Sequence, residues 1–401
     1  MAADGDHRSS ASPRTSGGSA DSRRRPDRGE ESMTRRIGIV TGTRADFGLL
    51  RSTIAAVSAH PGLEACVLAG GAHLLPPART IEEVRSEVDI AAEIEMQRPG
   101  VVGRLADVHA VGRGVGGFAD ALKDLEPDLV LVLGDRIEAF AAATAASVGG
   151  VALAHVHGGD RAEGVADEAM RHAISNLADL HFAATRTSGD RLRRMGQSPE
   201  SVFVVGSPAV DGLDRMPMSS DADFGALGSP RILVLHHGTG LPSAEEDAWS
   251  AAVLDAAIAH GSAVVVRPNH DPGSDRVAAA IETRVDSKNL TVVDHLPRTE
   301  FVGLLQRVEA IVGNSSAGLI EAAIVGCPAV NVGPRQAGRE RPATVLDVYR
   351  PMRRMIEAGI NTAIAMDRTP RHPYGESGAG ARMASILAEC SLPRPRKRLA
   401  Y

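Results

Sequence analysis

The chain has 401 residues, a formal net charge of −6 with both signs dispersed, 43% hydrophobic residues and only 3% aromatic ones. That length allows two domains, with cores built mainly from Ala, Val, Leu and Ile, and the charge excludes both the basic footprint of a nucleic-acid binder and a polybasic membrane patch. No apolar run approaches the roughly 18 residues that a membrane span needs. Cys66, Cys327 and Cys390 lie far apart without metal-ligand spacing, and read as buried thiols in a reducing cytoplasm.

Residues 1–33 are Ser, Gly, Asp, Arg and Pro with almost nothing apolar, a composition that predicts disorder. No hydrophobic segment of signal type follows Arg23-Arg24-Arg25, so export is not expected. Met33, directly before the first strand, competes with Met1 as the start.

From there apolar runs alternate with helical patterns. Arg36–Thr41 is the first predicted strand, with Thr43-Arg44-Ala45-Asp46 at its C-terminal end and a helix from about Gly48 to Ala59 behind it. Glu64–Ala69, Leu129–Leu133, Val151–His157, Leu180–Ala184 and Val202–Val205 follow as strands, and Asp211–Gly228 reads as a linker. A second set runs through Ile232–Leu235, Ala263–Arg267, Thr291–Val293, Ala310–Val312 and Ala329–Val332. Runs that are apolar on both faces and alternate with helices predict parallel sheets covered on both sides. The expected architecture is α/β, two doubly wound Rossmann-like domains facing a cleft, spanning 34–210 and 229–378. The linker would be 211–228, and 379–401 would form a C-terminal helix and tail that complete the first domain.

Ligands of such sheets bind at the C-terminal strand ends, and that is where the polar residues fall. The first half places Arg44 and Asp46, then Gly134-Asp135-Arg136, then His155, His157, Asp160 and Asp167-Glu168 behind successive strands. In the second half the strands end in His236-His237, Arg267 to Asp271, His295, and Ser315-Ser316-Ala317-Gly318. The last group opens a helical pattern, where unpartnered backbone N–H groups suit a phosphate. Glu321 sits on its first turn, and Arg335 and Arg339 return to the same edge after the next strand. His60, His73, His109 and His260 have no such company and are expected at the surface.

Six motifs in order, Thr41-Gly42-Thr43-Arg44-Ala45-Asp46-Phe47, Gly134-Asp135-Arg136, Gly158-Gly159-Asp160, Asp167-Glu168 with Arg171-His172-Ala173, Gly313 to Gly318, and Arg335 to Glu340, resemble the hydrolysing UDP-N-acetylglucosamine 2-epimerases. The resemblance runs from about residue 36 to the last helix. It implies a fold like that of the GT-B glycosyltransferases, with the nucleotide on the second domain and the sugar across the cleft. The implied reaction eliminates the nucleoside diphosphate to a 2-acetamidoglucal, which water converts to the free 2-epimer. UDP-N-acetylglucosamine, giving N-acetylmannosamine and UDP, is the first expectation for substrate. Another UDP- or GDP-linked acetamido sugar, a GT-B glycosyltransferase, a non-hydrolysing epimerase and a catalytically dead nucleotide-sugar sensor are the alternatives.

By motif match, Asp135 and Asp167 are the expected acid–base carboxylates, with Arg136 orienting one of them or gripping the diphosphate and Asp160 as a third acid. The family usually carries a glutamate before its Gly-Gly pair, where this chain has His157, so the imidazole is expected to take over that role or to mark a different sugar. Arg44, His237, Asn269, Ser274, His295, Ser315, Ser316, Gly318, Glu321 and Arg335 are the expected nucleotide contacts, with His237 preferred over His236 by alignment alone. Elimination and hydration require no organic cofactor; a divalent cation is compatible with the diphosphate, but no metal-ligand cluster demands one. The resemblance also implies a cytoplasmic homo-oligomer, dimer or tetramer.

Overall fold

The computed structural model describes residues 34–76, 79–101, 103–161, 168–268, 273–392, 397 and 399–400. Two parallel sheets form, as the two-sided apolar runs predict. The first holds β1 (Arg35–Thr41), β2 (Leu63–Gly70), β3 (Ile90–Ile94), β4 (Leu129–Leu133), β5 (Ala152–Val156), β6 (Leu180–Ala183) and β7 (Val202–Val204). Their order across the sheet is β3-β2-β1-β4-β5-β6-β7. The second holds β8 (Ile232–Leu235), β9 (Ala263–Val266), β10 (Leu290–Val293), β11 (Ala310–Gly313), β12 (Ala329–Val332) and β13 (Val345–Val348), in the order β10-β9-β8-β11-β12-β13. Each order reverses beside its first strand, β1/β4 in one sheet and β8/β11 in the other. This is the switch point where crossover loops diverge and leave a crevice at the strand ends.

Helices cover both faces. The first half contributes α1 (Arg44–Ala59), α2 (Ile81–Glu87), α3 (Arg104–Leu125), α4 (Ile137–Gly149), α5 (Glu168–Leu177) and α6 (Arg186–Arg194). The second contributes α7 (Asp221–Ala226), α8 (Ser243–Ala259), α9 (Ser274–Glu282), α10 (Arg298–Leu305), α11 (Glu321–Ile324) and α12 (Arg353–Ile364). Strand parity sorts the second core: Ile232 and Val234 pack with α8, α9 and α12, while Leu233 packs toward α10 and α11. The last helix, α13 (Ala379–Glu389), returns to the first domain and lies on α1. There Gly380 is required, because a Cβ would stand 2.6 Å from the Ser52 carbonyl oxygen. Asp211 caps this helix, its carboxylate accepting from the N–H groups of Gly378, Ala379 and Gly380 at 2.7–2.8 Å.

Several local expectations need correction. α1 starts at Arg44 instead of Gly48, because Thr43 and Asp46 form a reciprocal capping box. The segment read as a linker carries α7, capped by Ser220. His73 is fully buried, with Nε2 2.9 Å from the Thr41 hydroxyl and Nδ1 2.8 Å from that of Thr80. Cys66 and Cys327 are buried, but Cys390 is half-buried against Arg35. The tail 1–33 lies outside the described residues, and no described helix is long and apolar enough to cross a membrane.

Candidate active site

At the first switch point, Gly134 turns the chain out of β4 with φ +77° and donates its N–H to Val156 O. Asp135 follows, 17% exposed, and its carboxylate receives Nη2 of Arg171 from α5. Arg171 is itself buried, and its Nη1 donates to the His157 carbonyl at 3.3 Å. One guanidinium therefore ties the end of β4 to the end of β5. The sequence assigned that orienting part to Arg136; the Arg136 side chain is 44% exposed and sits 3.5 Å from the buried carboxylate of Glu138.

His157 ends β5 in the left-handed region, φ +62°, a conformation that costs a non-glycine residue about 1–3 kcal/mol. Its ring offsets that strain with two bonds, Nδ1 to Asp160 Oδ2 at 2.7 Å and Nε2 to the Ser207 hydroxyl at 2.9 Å. Both nitrogens are engaged, so the imidazole acts on Asp160 and presents no free nitrogen. The other oxygen of Asp160 accepts from Ser188 Oγ at 2.7 Å. Burial alone pushes this carboxyl up, but the charge and hydrogen bond of His157, with Arg171 and Arg339 behind them, hold it well below the usual carboxylate range. His155, two residues earlier, is structural. Its Nε2 must donate to the Gly134 carbonyl 2.7 Å away, so Nδ1 accepts from Ser175, and burial lowers the ring to about 4.

Asp46 is used by the fold. Its carboxylate accepts from the N–H groups of Gly42 at 2.9 Å and Thr43 at 2.7 Å, and burial pushes its titration up. Glu138, which the sequence did not single out, is fully buried and accepts from Gln97 Nε2 at 2.7 Å. Asp167 and Asn269 lie outside the described residues.

At the second switch point Gly313, φ +144°, lets β11 pass within reach of β8; a Cβ there would stand 2.1 Å from Leu235 O. Asn314 then clamps His237, accepting from its N–H and donating to its carbonyl, both at 2.8 Å. The expected helix at Ser315 is shorter than its pattern suggested: one 3-10 turn, Ser316–Gly318, capped by Ser315, and then the four residues of α11. A helix of four residues offers a phosphate little dipole, which leaves the hydroxyls and turn amides of Ser315, Ser316 and Gly318. Arg335 Nη1 and Gln336 Nε2 both donate to the Asn314 carbonyl, at 3.3 and 2.9 Å. Ser274 opens α9 behind Gly273.

The sequence preferred His237 over His236 by alignment alone. The structure distinguishes them: His236 is 3% exposed with neither ring nitrogen hydrogen-bonded, and burial first, then the charges of His237 and Arg335, lowers it to about 3. A cavity of about 450 Å³ lies between the domains, lined among others by Arg44, Arg51, Glu83, His295 and Arg298. It brings Arg44 and His295 together, as the nucleotide reading requires. Arg44 is paired there with Glu83 at 3.0 Å, and burial, followed by Arg44, lowers His295. Glu321 is 3.8 Å from Arg298, at the same side of the second domain. Asp135, His157 and Asp160 do not line this cavity and form a separate cluster.

The family profile described as UDP-N-acetylglucosamine 2-epimerase matches residues 55–388. The UDP-N,N'-diacetylbacillosamine 2-epimerase (hydrolyzing) of Legionella pneumophila is 34% identical over 323 residues, 79% of this chain and 85% of that protein. The UDP-N-acetylglucosamine 2-epimerase of Neisseria meningitidis serogroup B is 28% identical over 322 residues, 78% of this chain and 83% of its own. The crystal structure of the Methanocaldococcus jannaschii UDP-GlcNAc 2-epimerase in complex with UDP-GlcNAc and UDP superposes with a TM-score of 0.74 at 18% identity, covering 88% of this chain and 99% of that one.

Proposed function

Because the chain belongs to the UDP-N-acetylglucosamine 2-epimerase family, we propose that it is a hydrolysing 2-epimerase of a UDP-linked 2-acetamido sugar, acting in the cytoplasm as a homo-oligomer without an organic cofactor. The relative at 34% identity is named for UDP-N,N'-diacetylbacillosamine and the meningococcal UDP-N-acetylglucosamine enzyme stands at 28%. That difference favours the diacetylated sugar over UDP-N-acetylglucosamine, which the motifs alone put first.

The observation that carries the reading is the pair of carboxylates, Asp135 and Asp160, held at adjacent strand ends by Arg171 and His157. Removing the C2 proton of such a sugar needs a positioned base while the diphosphate leaves. The C1–O bond breaks, a C1=C2 double bond forms, and the product pair is UDP and a 2-acetamidoglucal. Water then adds at C1 while an acid returns a proton to C2 on the opposite face, releasing the free epimer. Asp160, held ionised with both oxygens bonded, suits the electrostatic stabiliser of a neighbouring cation; Asp135 and Asp167 supply the acid–base capacity. Arg44, His295, Ser315, Ser316, Glu321 and Arg335 would hold UDP, with His237, Asn269, Ser274 and Gly318 around it. Among the described residues no His, Cys, Asp and Glu group is arranged to hold a metal.

The test is incubation with each UDP sugar in deuterated water, followed by proton NMR. Free 2-epimer carrying deuterium at C2, together with released UDP, is the expected result. Product still linked to UDP would overturn the hydrolysing assignment, and transfer of the sugar from UDP to an added acceptor, with UDP released, would make the protein a glycosyltransferase.

A further inference from the structure

The loop after β12 touches both halves of the site. It starts at Gly333, φ +79°, which lies against Trp249, the single tryptophan of the chain. Arg335 and Gln336 then hold the Asn314 carbonyl, as described above. Arg341 closes the loop on itself, its Nη1 donating to the carbonyls of Gln336 at 2.8 Å and Arg339 at 2.9 Å, and its Nε to Asp347 Oδ2 at 2.9 Å. The segment is thus fastened to the turn that carries Ser315 and Ser316.

Its far side reaches the first domain. The Glu340 carboxylate accepts the hydroxyl of Thr185, and Tyr374 donates to the Glu340 carbonyl at 3.2 Å. Thr185 caps α6, and its Oγ1 lies 3.1 Å from Ser188 Oγ, the hydroxyl that donates to Asp160. Thr185, Ser188, Asp160, His157 and Ser207 are all buried, and the Ser188 N–H donates to Thr185 Oγ1 at 3.1 Å, so the line from Glu340 through Thr185, Ser188, Asp160 and His157 to Ser207 runs away from solvent. A hydroxyl has one proton to give. Glu340 takes that of Thr185 through a charge-assisted bond, which leaves Thr185 Oγ1 to accept the Ser188 N–H at 3.1 Å and so holds in place the residue whose hydroxyl donates to Asp160. Arg339, one residue earlier, lies close enough to the same carboxylate to lower its titration, and its Nε has no hydrogen-bond partner.

We propose that Glu340 is a positioning residue for the reaction, and that the segment from Arg335 to Arg341 is a strap coupling the nucleotide turn at Asn314 to the site carboxylate Asp160. The site is then composite. The second domain holds UDP and also fixes, through Thr185, the residue whose hydroxyl supports a first-domain carboxylate. This rests on the reading of Asp160 given under Proposed function.

A double-mutant cycle tests it with the full-length protein, wild type, Glu340→Ala, Thr185→Val and the double variant, measuring kcat, KM and UDP affinity. The expected result is a kcat loss of about tenfold or more in each single variant, no further loss in the double, and UDP affinity within twofold throughout. Glu340→Gln, whose amide oxygen still accepts from Thr185, recovers most of the activity. Multiplicative losses in the double variant, or a Glu340→Gln as impaired as Glu340→Ala, would overturn the proposal. The same four proteins unfolded thermally with UDP show whether the bond across the domains exists even if no UDP sugar is turned over. Non-additive shifts in Tm support the strap, and additive shifts refute it. Failure of the wild type on both sugars would instead count against the substrate assignment.

Discussion

The two strand-end edges are built by opposite means. On the first domain, charged groups are paired with one another and mostly buried: Arg171 serves Asp135 and a carbonyl through its two Nη atoms, and His157 uses both nitrogens on Asp160 and Ser207. On the second, the turn from Gly313 to Gly318 offers hydroxyls and amides, and the buried His236 has no partner for either nitrogen. An edge that moves protons needs its charges placed in advance, because reorganisation during the reaction adds to the barrier. An edge that only holds a ligand can leave groups to be satisfied on binding.

Removing the pivot of the first edge is the strongest way to break this contrast. Arg171→Met leaves the partly exposed Asp135 without its cation, at a cost of about 1–3 kcal/mol, less than for a fully buried pair. Turnover should vanish and urea unfolding should show the loss; a variant of wild-type stability would mean that the edge is not preorganised by Arg171. Asp135→Asn is milder for the fold, since the amide still accepts from Arg171. It should cut kcat by about 10²–10⁴-fold while UDP affinity, measured by calorimetry, stays within a few-fold. Near-normal turnover in that variant would remove Asp135 from the acid–base set.

The difference between the edges also governs what the sequence made legible. Central strands such as Leu129–Leu133 and Ile232–Leu235 were readable to the residue, because both of their faces are largely buried and no polar position interrupts the run. The edge strands β3 and β13 escaped: their sequences, IAAEI and VLDV, carry Glu93 and Asp347 on partly exposed faces. The start of α1 was present as a Thr-x-x-Asp signal and was passed over in favour of a functional part for Asp46. The motifs brought Asp135, His157 and Asp160 to one place, but they could not show that Arg171 and Glu340, quoted within the same motifs, are the groups that hold them. Those contacts join residues 36 and 155 positions apart, and spacing along a chain carries no information about them.

Acid stability sharpens the second half of the contrast. His236 titrates at about 3 in the folded protein against 6.5 for a free side chain. Between those values the unfolded chain binds the extra proton, so stability falls as pH drops from about 6.5 toward 3, by about 1.4 kcal/mol per pH unit for such a group. His155 and His181, lowered to about 4 and 3, act with the same sign. His236→Leu should flatten this dependence and, at neutral pH without ligand, stabilise the protein by about 1–3 kcal/mol, because two unpaired buried polar atoms are removed. A destabilised variant, by denaturant titration at pH 7 and pH 5, would show that His236 has a partner in solution and that the second edge is as fully engaged as the first.

The smallest effect concerns Arg44, which belongs to the first domain yet lines the interdomain cavity with His295. Its guanidinium is held by Glu83, and both side chains are about one-third exposed, at 34% and 33%. An ion pair with that much solvent is worth only about 0.2–1 kcal/mol. If UDP must draw Arg44 away from Glu83, then Glu83→Gln should tighten UDP by no more than about fivefold, and the gain should shrink as salt screens the original pair. Weaker binding in this variant would mean that Glu83 steers Arg44 onto the diphosphate instead of competing for it. Arg44 would then belong with the preorganised charges of its own domain, and the division between the edges would follow the domain boundary instead of the ligand.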